Sequence, residues 1–561
     1  MAKSIFGLFS TAARDEPLGN VRAIDRWAED LPATDPIAAV EAMVRLLEES
    51  FATARALTVD RTLALMELDR LSLPLQAQLL AQYRLSVLSD EVRQNIWQVR
   101  NDLARCLAIA YEQIYEGSRN EATVGRFGEH LHGVFSRIFH YRCKQAQQGL
   151  IRYELWIPAR WKFLHAAYKD ASAQGLANLA FSLVQNPQPT ENFSAEQEYL
   201  LLLLMQRINC GNMSVPQIEM TAQWMRELVP CLKLDKAPPQ GDQYWLLNLA
   251  KTEGLHTTPS EAPDPELLYL DITPLRARLN TLMESLHKQL GPGSEVSGRG
   301  ETRARLALAR RLELSLLPKA PPQPRRGERR ADQRAILVAE GWDEIPVLMR
   351  KARPWRAHDP VKYTYDGTVG TSALRGTEAP RKVSPLASDT LYPEQRGWQV
   401  MDSSDSGFRI ESRTRTAAQL QIGDLLVMLL EGESRWRIGI VRRLKRRIAE
   451  HTELGAEVIA ENAVLVMPEP VGNGNNALVY DIGAKPRVFH ALYVPPQQRA
   501  QTAPVRSIVV PAGEYQPSRV FSIEMDGQSN QIRLVLLIEQ TKDWVWTTFE
   551  AIGVWRERLR I

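Results

Sequence analysis

The spacing of apolar residues changes at one Pro/Arg-rich segment of this 561-residue chain. Before that segment, from about residue 36 to 290, apolar side chains recur every three to four residues, which is typical of amphipathic helices. After it, short apolar runs alternate with turn residues, which is typical of β-strands. The sequence therefore predicts a multidomain α + β chain, with an all-α helical domain followed by antiparallel β structure.

The last helical stretch, 272–290, has the clearest boundaries. Thr273 can cap the helix and Pro274 suits its first position, while five leucines share one face and a Gly-Pro-Gly run ends it. The Pro/Arg-rich segment follows and has the composition of an extended spacer. We therefore expect a helical domain over 1–290 and a linker over 291–328.

The β half divides at about residue 470. Between 354 and 396 the chain is rich in Pro, Gly, Ser and Thr and has little periodicity, which predicts a loop insertion. We expect a β-barrel over 329–470 with this insertion, and a β-rich extension over 471–561. The predicted strands are 335–339, 397–401, 407–410, 424–430, 436–442, 457–460, 463–467, 477–480, 507–510 and 532–538.

Charge is distributed unevenly along the chain. Residues 1–295 carry 29 Lys and Arg against 35 Asp and Glu, whereas residues 296–561 carry 40 against 31. The excess is concentrated in 296–335, with eleven basic residues against four acidic ones. An anionic ligand is therefore expected to bind in the second half.

Several protein classes do not fit this sequence. Four cysteines without a CxxC spacing argue against a secreted disulfide scaffold and favour a reducing cytoplasm. No apolar run approaches the length of a membrane helix, and the first residues lack a secretory signal. Nucleotide-binding glycine loops, a nucleophile elbow and a zinc-protease motif are also missing, so we expect neither an enzyme nor a cofactor.

A polar turn and an arginine cluster carry the functional signal. Asp402, Ser404 and Gly407 form a DxSxxG pattern between two predicted strands, and Arg329, Arg330 and Arg334 precede an earlier strand. Guanidinium groups donate to phosphate oxygens or to the O6/N7 edge of guanine. An Asp and a Ser on a turn can bind a base edge, and a glycine allows close approach of the backbone. This combination suits a small ligand that contains guanine and phosphate.

Over about 325–470 the sequence resembles the PilZ domain, the β-barrel receptor of bacterial cyclic di-GMP. The resemblance rests on 328–334, 398–410, 421–425, 436–443 and 453–458. It implies that Arg330 and Arg334, assisted by Arg329, hold phosphate and guanine from an arm, and that Asp402, Ser404 and Gly407 form the floor of the site. It also implies a signalling adaptor that acts with a protein of a motility, pilus or exopolysaccharide system.

The long separation between the two parts of this motif leaves alternatives open. Sixty-seven residues lie between Arg334 and Asp402. Either the 354–396 segment loops out, or other arginines (Arg350, Arg353 or Arg356) serve the site, or ligand binding has been lost.

Two other functions are alternatives. The chain could be an assembly scaffold with a degenerate barrel, or its basic arm could bind nucleic acid through phosphate contacts. Nucleic acid is the less expected partner, because aromatic residues do not interleave with the basic ones. His130, His132, His140 and Cys143 lie in a predicted helix with spacings that do not make a metal-ligand set, so no metal is expected.

Overall fold

The protein is described from a computed structural model. The described residues are 16–52, 58–85, 88–119, 128–154, 160–184, 192–208, 210–257, 264–290, 299–318, 328–349, 398–412, 420–447, 451–471, 489–496, 505–525 and 528–555. The predicted insertion 354–396, the predicted strand 477–480 and the alternative arginines Arg350, Arg353 and Arg356 lie outside them. The chain forms two compact units, Met1–Cys210 with Val215–Pro322 and Gln323–Ile561 with Gly211–Ser214.

The first unit is mainly helical, as predicted. Side chains of Asn20, Asp35, Thr58, Ser89 and Ser194 each accept a backbone hydrogen bond in the first turn of a helix, which stabilises that end. None of the described helices has the length and hydropathy needed to span a membrane. The helices are α1 Val21–Glu29, α2 Pro36–Phe51, α3 Val59–Tyr83, α4 Asp90–Ser118, α5 Leu131–Ile151, α6 Trp161–Ala173, α7 Ala195–Arg207, α8 Val215–Leu228, α9 Thr273–Gln289 and α10 Arg299–Leu316.

A buried carboxylate joins three of these helices. Asp69 of α3 is fully buried and accepts hydrogen bonds from Tyr111 of α4, at 3.1 Å, and from Tyr141 of α5. Arg137 of α5 pairs with the same carboxylate at 2.9 Å. Burial raises the pKa of both tyrosines well above the ordinary value, so their hydroxyls remain donors. Asp69 thus holds α3, α4 and α5 together in the core.

Two features of this unit differ from the prediction. Residues 234–271 include a small sheet of order β1–β3–β2, where only helices were expected. Part of the expected linker, 299–316, is the helix α10, whose buried residues Leu306, Ala309, Leu312 and Leu316 recur at helical spacing. The many arginines between them hid that spacing. The strands are β1 Leu234–Asp235, β2 Tyr244–Asn248 and β3 Leu267–Asp271.

The start of α9 also differs from expectation in its cap. Thr273 is the first helical residue rather than the cap, and the N-cap position is Ile272. The Asp271 carboxylate accepts a hydrogen bond from the Thr273 backbone N–H at 2.8 Å. The acidic residue two positions earlier therefore supplies the acceptor that Thr273 was expected to provide.

The first β-sheet of the second unit closes into a barrel. Its strand order is β4–β6–β7–β10–β9–β8–β5. An antiparallel bridge between Ala335 and Gln399, and a 3.0 Å hydrogen bond from the Val400 N–H to the Arg334 carbonyl, join β5 to β6 and close the ring. The elements are β4 Arg330–Ala331, β5 Ile336–Glu340, α11 Gly341–Met349, β6 Trp398–Ser404, β7 Gly407–Ser412, β8 Leu425–Leu430, β9 Arg437–Arg447 and β10 His451–Ala460.

The β-rich extension forms a second sheet, of order β11–β13–β14–β17–β16–β15–β12. Because β11 and β12 are separated by only two residues, the first and last members of this sheet are parts of one chain segment, and the sheet curls into a second barrel. Both strands lie within 329–470, the range expected for the first barrel, but pair with the extension. The strands are β11 Val464–Val466, β12 Glu469–Pro470, β13 Ala491–Val494, β14 Ser507–Pro511, β15 Val520–Met525, β16 Gln528–Gln540 and β17 Trp544–Ile552.

The two barrels share a hydrophobic core within the second unit. Buried residues of β5, β8 and β9 pack with α11 and with β13, β14 and β17. At the edge of this core the Trp544 indole donates to the Gly423 carbonyl at 3.0 Å. Arg442 donates to both carboxylate oxygens of Glu539 at 2.6 Å and to Glu457 at 2.8 Å. These contacts hold the two barrels together.

The buried Asp69 cluster generates a stability prediction. Replacing Asp69 with alanine leaves the Arg137 guanidinium buried without its counter-ion, which is expected to lower the free energy of unfolding by about 3–5 kcal/mol. Urea unfolding followed by far-ultraviolet circular dichroism, which mainly reports the helical unit, measures the change. Asp60→Ala, at an exposed position in the first turn of the same helix, is the matched control and should cost less than about 1 kcal/mol. Equal losses in the two variants would contradict a structural role for the cluster.

Candidate functional site

The DxSxxG pattern lies at the tip of the β6–β7 hairpin. Ser404 and Gly407 are opposite each other at the end of the ladder, so Asp405 and Ser406 form a two-residue turn. The Ser404 hydroxyl donates to the Gly407 carbonyl at 3.3 Å. A register shift between Val400 and Asp402 inserts an extra residue into β6, and such bulges change the direction of the side chains that follow.

Gly407 is required by close contact with the neighbouring strand. A Cβ atom on this residue would lie 2.2 Å from the backbone carbonyl oxygen of Ala456 in β10. Any larger residue would have to push β7 and β10 apart at the point where Gly407 and Glu457 are in register. The glycine of the motif therefore allows β7 to pair closely with β10 at the end of the hairpin.

The basic arm lies directly beside this hairpin. The short strand β4 pairs antiparallel with β6, with Arg330 opposite Ser403 and Ala331 opposite Asp402. Arg329 Nη1 is 2.5 Å from Asp402 Oδ1. The arm and the motif are therefore neighbours in space despite their separation along the chain.

Arg330 has a guanidinium group that is open to solvent. Its side chain is exposed, and no carboxylate pairs with it among the residues that the structure describes. Its Cα atom lies opposite that of Ser403, between the positions of Asp402 and Ser404 along β6. Among the three predicted arginines, Arg330 is therefore the one whose guanidinium can contact an anionic ligand without first breaking an ion pair.

Arg334 has different partners. Its guanidinium pairs with Asp332 at 2.8 Å and with Glu433 at 3.1 Å, and Asp402 is not among its described contacts. The hydrogen bonds between Arg334 and Asp332 lower the pKa of the carboxyl group and raise that of the guanidinium. The structure thus brings Arg329 and Arg330 to the turn, and holds the Arg334 side chain on other carboxylates.

One further cation at this site was missed from the sequence. Arg409 is opposite Asp402 in the β6–β7 ladder, and its Nη1 is 3.5 Å from Asp402 Oδ2. It also pairs with Glu453 at 3.2 Å. Partial burial opposes its charge, but the carboxylates of Glu453 and Asp402 outweigh this effect and raise its pKa. Counting outward from the two-residue turn at 405–406 could have identified this pairing.

A second outward arginine lies two strands away. Gly455 of β10 is in register with both Arg409 of β7 and Arg443 of β9. Because Gly455 has no side chain, nothing projects from β10 between these two cations. Arg443 is exposed and lies in the same cross-strand row as Arg409.

The site as a whole combines acceptors with cations. Asp402 and Ser404 can bind the donor edge of a base, whereas Arg329, Arg330 and Arg409 can donate to phosphate. Hydrogen-bond acceptors and guanidinium donors side by side suit the binding of a ligand that carries both a base and phosphate.

Comparison with known protein families matches two parts of the chain. Residues 22–240 match the N-terminal domain of the cyclic-di-GMP receptor FimW, and residues 348–464 match its middle PilZ domain. Together these ranges span about three-fifths of the chain. The chain belongs to the FimW family. No curated protein and no solved structure matches it.

The family assignment confirms the PilZ resemblance and extends it. The helical half, which could not be classified from its sequence, belongs to the same family as the barrel. FimW is described as a receptor, which agrees with the prediction that the chain is not an enzyme. Asp402, Ser404 and Gly407 lie within the matched PilZ range, whereas Arg329, Arg330 and Arg334 precede it.

The contact at Gly407 predicts the effect of a single methyl group. Gly407→Ala places that methyl group against the Ala456 carbonyl and is expected to destabilise the barrel unit by about 1–3 kcal/mol. Thermal and urea unfolding of the purified protein measure the loss. Gly513→Ala is the control in the same unit, because no atom lies within 4 Å of a Cβ at that position. Equal stability of the two variants would mean that β7 and β10 are not in close contact at Gly407.

Proposed function

We propose that this protein binds cyclic di-GMP between the basic arm and the β6–β7 hairpin and acts as a signalling adaptor. One observation carries the proposal: β4 pairs with β6, so that Arg329 contacts Asp402 and the Cα atom of Arg330 lies opposite Ser403, between the two motif residues. Cyclic di-GMP has two phosphates and two guanines, and this group of side chains offers partners for both. Membership in a family of cyclic-di-GMP receptors supports the same ligand.

Each proposed residue has a role that follows from its chemistry. Asp402 and Ser404 accept hydrogen bonds from the amino edge of a guanine, and Gly407 lets the ligand approach the backbone. Arg330 donates to a phosphate, because its guanidinium is already exposed to solvent. When a guanine binds to the Asp402 carboxylate, it displaces Arg329, and the Arg329 guanidinium then pairs with a phosphate of the ligand. Arg334 contributes once it leaves Asp332 and Glu433.

The adaptor mechanism depends on the position of the arm in the chain. The arm follows α10, the last helix of the helical unit, and enters the barrel through β4 and β5. A ligand bound to both the arm and the hairpin fixes the end of the segment that connects the two units. We propose that this changes the placement of the helical unit and presents it to a protein partner.

The partner class and the location come from the family resemblance and the composition. A protein of a motility, pilus or exopolysaccharide system is the proposed partner, and the cytoplasmic location remains a prediction. Three of the four cysteines are buried and all four are free, which suits that compartment.

Calorimetric titration with cyclic di-GMP tests the site. The unmodified protein should bind saturably, and both Arg330→Ala and Asp402→Ala should weaken binding at least about tenfold, because each removes a charge-assisted hydrogen bond. Arg334→Ala should have a smaller effect, since its guanidinium is shared with Asp332 and Glu433. Arg435→Ala, at an exposed arginine of the β8–β9 turn, is the matched control and should bind normally.

Other titration results have distinct meanings. Binding that survives Arg330→Ala but not Asp402→Ala would move the cation role to other arginines, such as Arg350, Arg353 or Arg356. No heat and no thermal shift at high ligand concentration would overturn the receptor proposal and leave an assembly scaffold. Binding of a short oligonucleotide at physiological salt would instead favour the nucleic-acid alternative.

The adaptor step is tested separately by small-angle X-ray scattering. Saturation with cyclic di-GMP should change the radius of gyration of the unmodified protein and of Arg435→Ala. It should leave Asp402→Ala unchanged, because that variant lacks the proposed guanine acceptor. A protein that binds ligand by calorimetry but keeps the same scattering curve would retain the receptor role and exclude the reorientation.

A further inference from the structure

The helical unit contains a cavity of about 140 Å³ between α4, α5, α7 and the start of α6. An apolar cavity of about 150 Å³ in another protein holds one benzene molecule, which has about six non-hydrogen atoms. The cavity is therefore large enough for a small organic ligand. Its described lining belongs to residues 101–206, which include no part of the arm or of the β6–β7 hairpin.

One wall of this cavity has a cation without a counter-ion. Arg160, directly before α6, is half-buried and forms neither an ion pair nor a hydrogen bond with the described residues. Burial and the positive charge of Arg142 lower the pKa of Arg160. No acidic residue lies in the first turn of α6, so the positive end of this helix adds to the same excess of charge. Charged groups that are removed from water are normally paired, so Arg160 lacks an anion.

Nearby carboxylates are already paired with other arginines. Glu112 accepts hydrogen bonds from Nε and Nη2 of Arg142. Glu48 pairs with Arg105 at 2.7 Å. The described carboxylates therefore leave the charge of Arg160 without a partner, and a bound anion would neutralise it.

Two amide side chains of the lining can donate to such an anion. Arg142 Nη1 donates to Gln145 Oε1 at 2.7 Å, which fixes that amide and leaves its Nε2 group as a donor. Asn101 of α4 is half-buried and makes no hydrogen bond through its side chain within the described structure. Amide N–H groups and a guanidinium group can together surround a carboxylate.

The remaining lining limits the class of ligand. Leu202 and Met205 of α7 are buried and form an apolar wall, which favours a ligand with an organic body over an inorganic anion. The Glu154 carboxylate, also in the lining, would repel a second negative charge on the ligand. The planar guanidinium of Arg160 matches a carboxylate through two parallel hydrogen bonds. These features together favour a small organic monocarboxylate.

We propose that this cavity binds a small organic monocarboxylate of about six non-hydrogen atoms. Its carboxylate pairs with Arg160 and accepts hydrogen bonds from the amides of Asn101 and Gln145. Its apolar part packs against Leu202 and Met205. The helical unit then has a ligand of its own, and this inference does not depend on cyclic di-GMP binding.

Titration of the full-length protein with butyrate, followed by saturation-transfer nuclear magnetic resonance, tests the charge. The unmodified protein should bind butyrate saturably and its neutral analogue butyramide at least about tenfold more weakly, because the amide cannot pair with Arg160. Arg160→Gln should weaken butyrate binding at least about tenfold for the same reason. Arg45→Gln, at an exposed arginine of α2 outside the cavity, is the matched control and should bind normally.

Filling the cavity tests its location without changing any charge. Ala146→Leu adds three carbon atoms to the lining and should abolish butyrate binding. Ala81→Leu, at an exposed position of α3, is the control for this change and should bind normally. Circular dichroism and thermal melting show whether each variant is folded.

Several results would overturn the inference. These are no saturation transfer to butyrate in the unmodified protein, equal affinity for butyrate and butyramide, and unchanged binding in folded Arg160→Gln or Ala146→Leu. Inorganic phosphate that displaces butyrate at equal or lower concentration would show a general anion site and would overturn the assignment to monocarboxylates.

Discussion

Closure of the first barrel is the constraint on which the candidate site depends. The strand pair β5–β6 completes the ring through a bridge at Ala335 and a hydrogen bond at Arg334. Because β4 directly precedes β5, closing the ring also places β4 along the next part of β6. The arm thus reaches the DxSxxG turn as a consequence of barrel topology, and the length of the intervening segment has no effect on that contact.

The electrostatics of the site are balanced before any ligand arrives. Asp402 lies between Arg329 and Arg409, while Arg409 and Arg334 have other carboxylates as partners. A dianionic ligand would therefore exchange existing ion pairs for new ones, which limits the net gain in free energy. Arg330 is the exception, because its guanidinium has no described carboxylate partner. A ligand phosphate would therefore pair with it without breaking an existing ion pair.

The sequence was sufficient for local structure and insufficient for long-range pairing. The strand predicted over 424–430 is observed as Leu425–Leu430, because its unbroken apolar run is buried on both faces. The adjacency of Arg330 and the 402–407 motif was implied only by the PilZ resemblance, since no local signal relates residues so far apart. The pairing of Arg409 with Asp402, by contrast, could have been predicted, because it follows from the length of the hairpin turn.

Two further differences have the same physical origin, which is that tertiary packing decides the role of an ambiguous segment. The helix α10 was hidden by its arginines, and only burial of residues such as Leu312 against the helical unit shows which face is apolar. The segment 464–470 was assigned to the first barrel, but pairing with β13 and β15 places it in the second. Its boundary depends on strands that come later in the chain.

The shared core of the two barrels indicates where a ligand could change the structure. Gly407 is in register with Glu457, which pairs with Arg442, and Arg442 in turn pairs with Glu539 of the second barrel. Hydrogen bonds to Glu539 raise the pKa of Arg442, so this contact stays charged. The hairpin therefore rests on two barrels packed around one core, which resists deformation. The arm contributes only the two exposed residues of β4 to the sheet, so it is the part of the site whose position a ligand can alter at least cost.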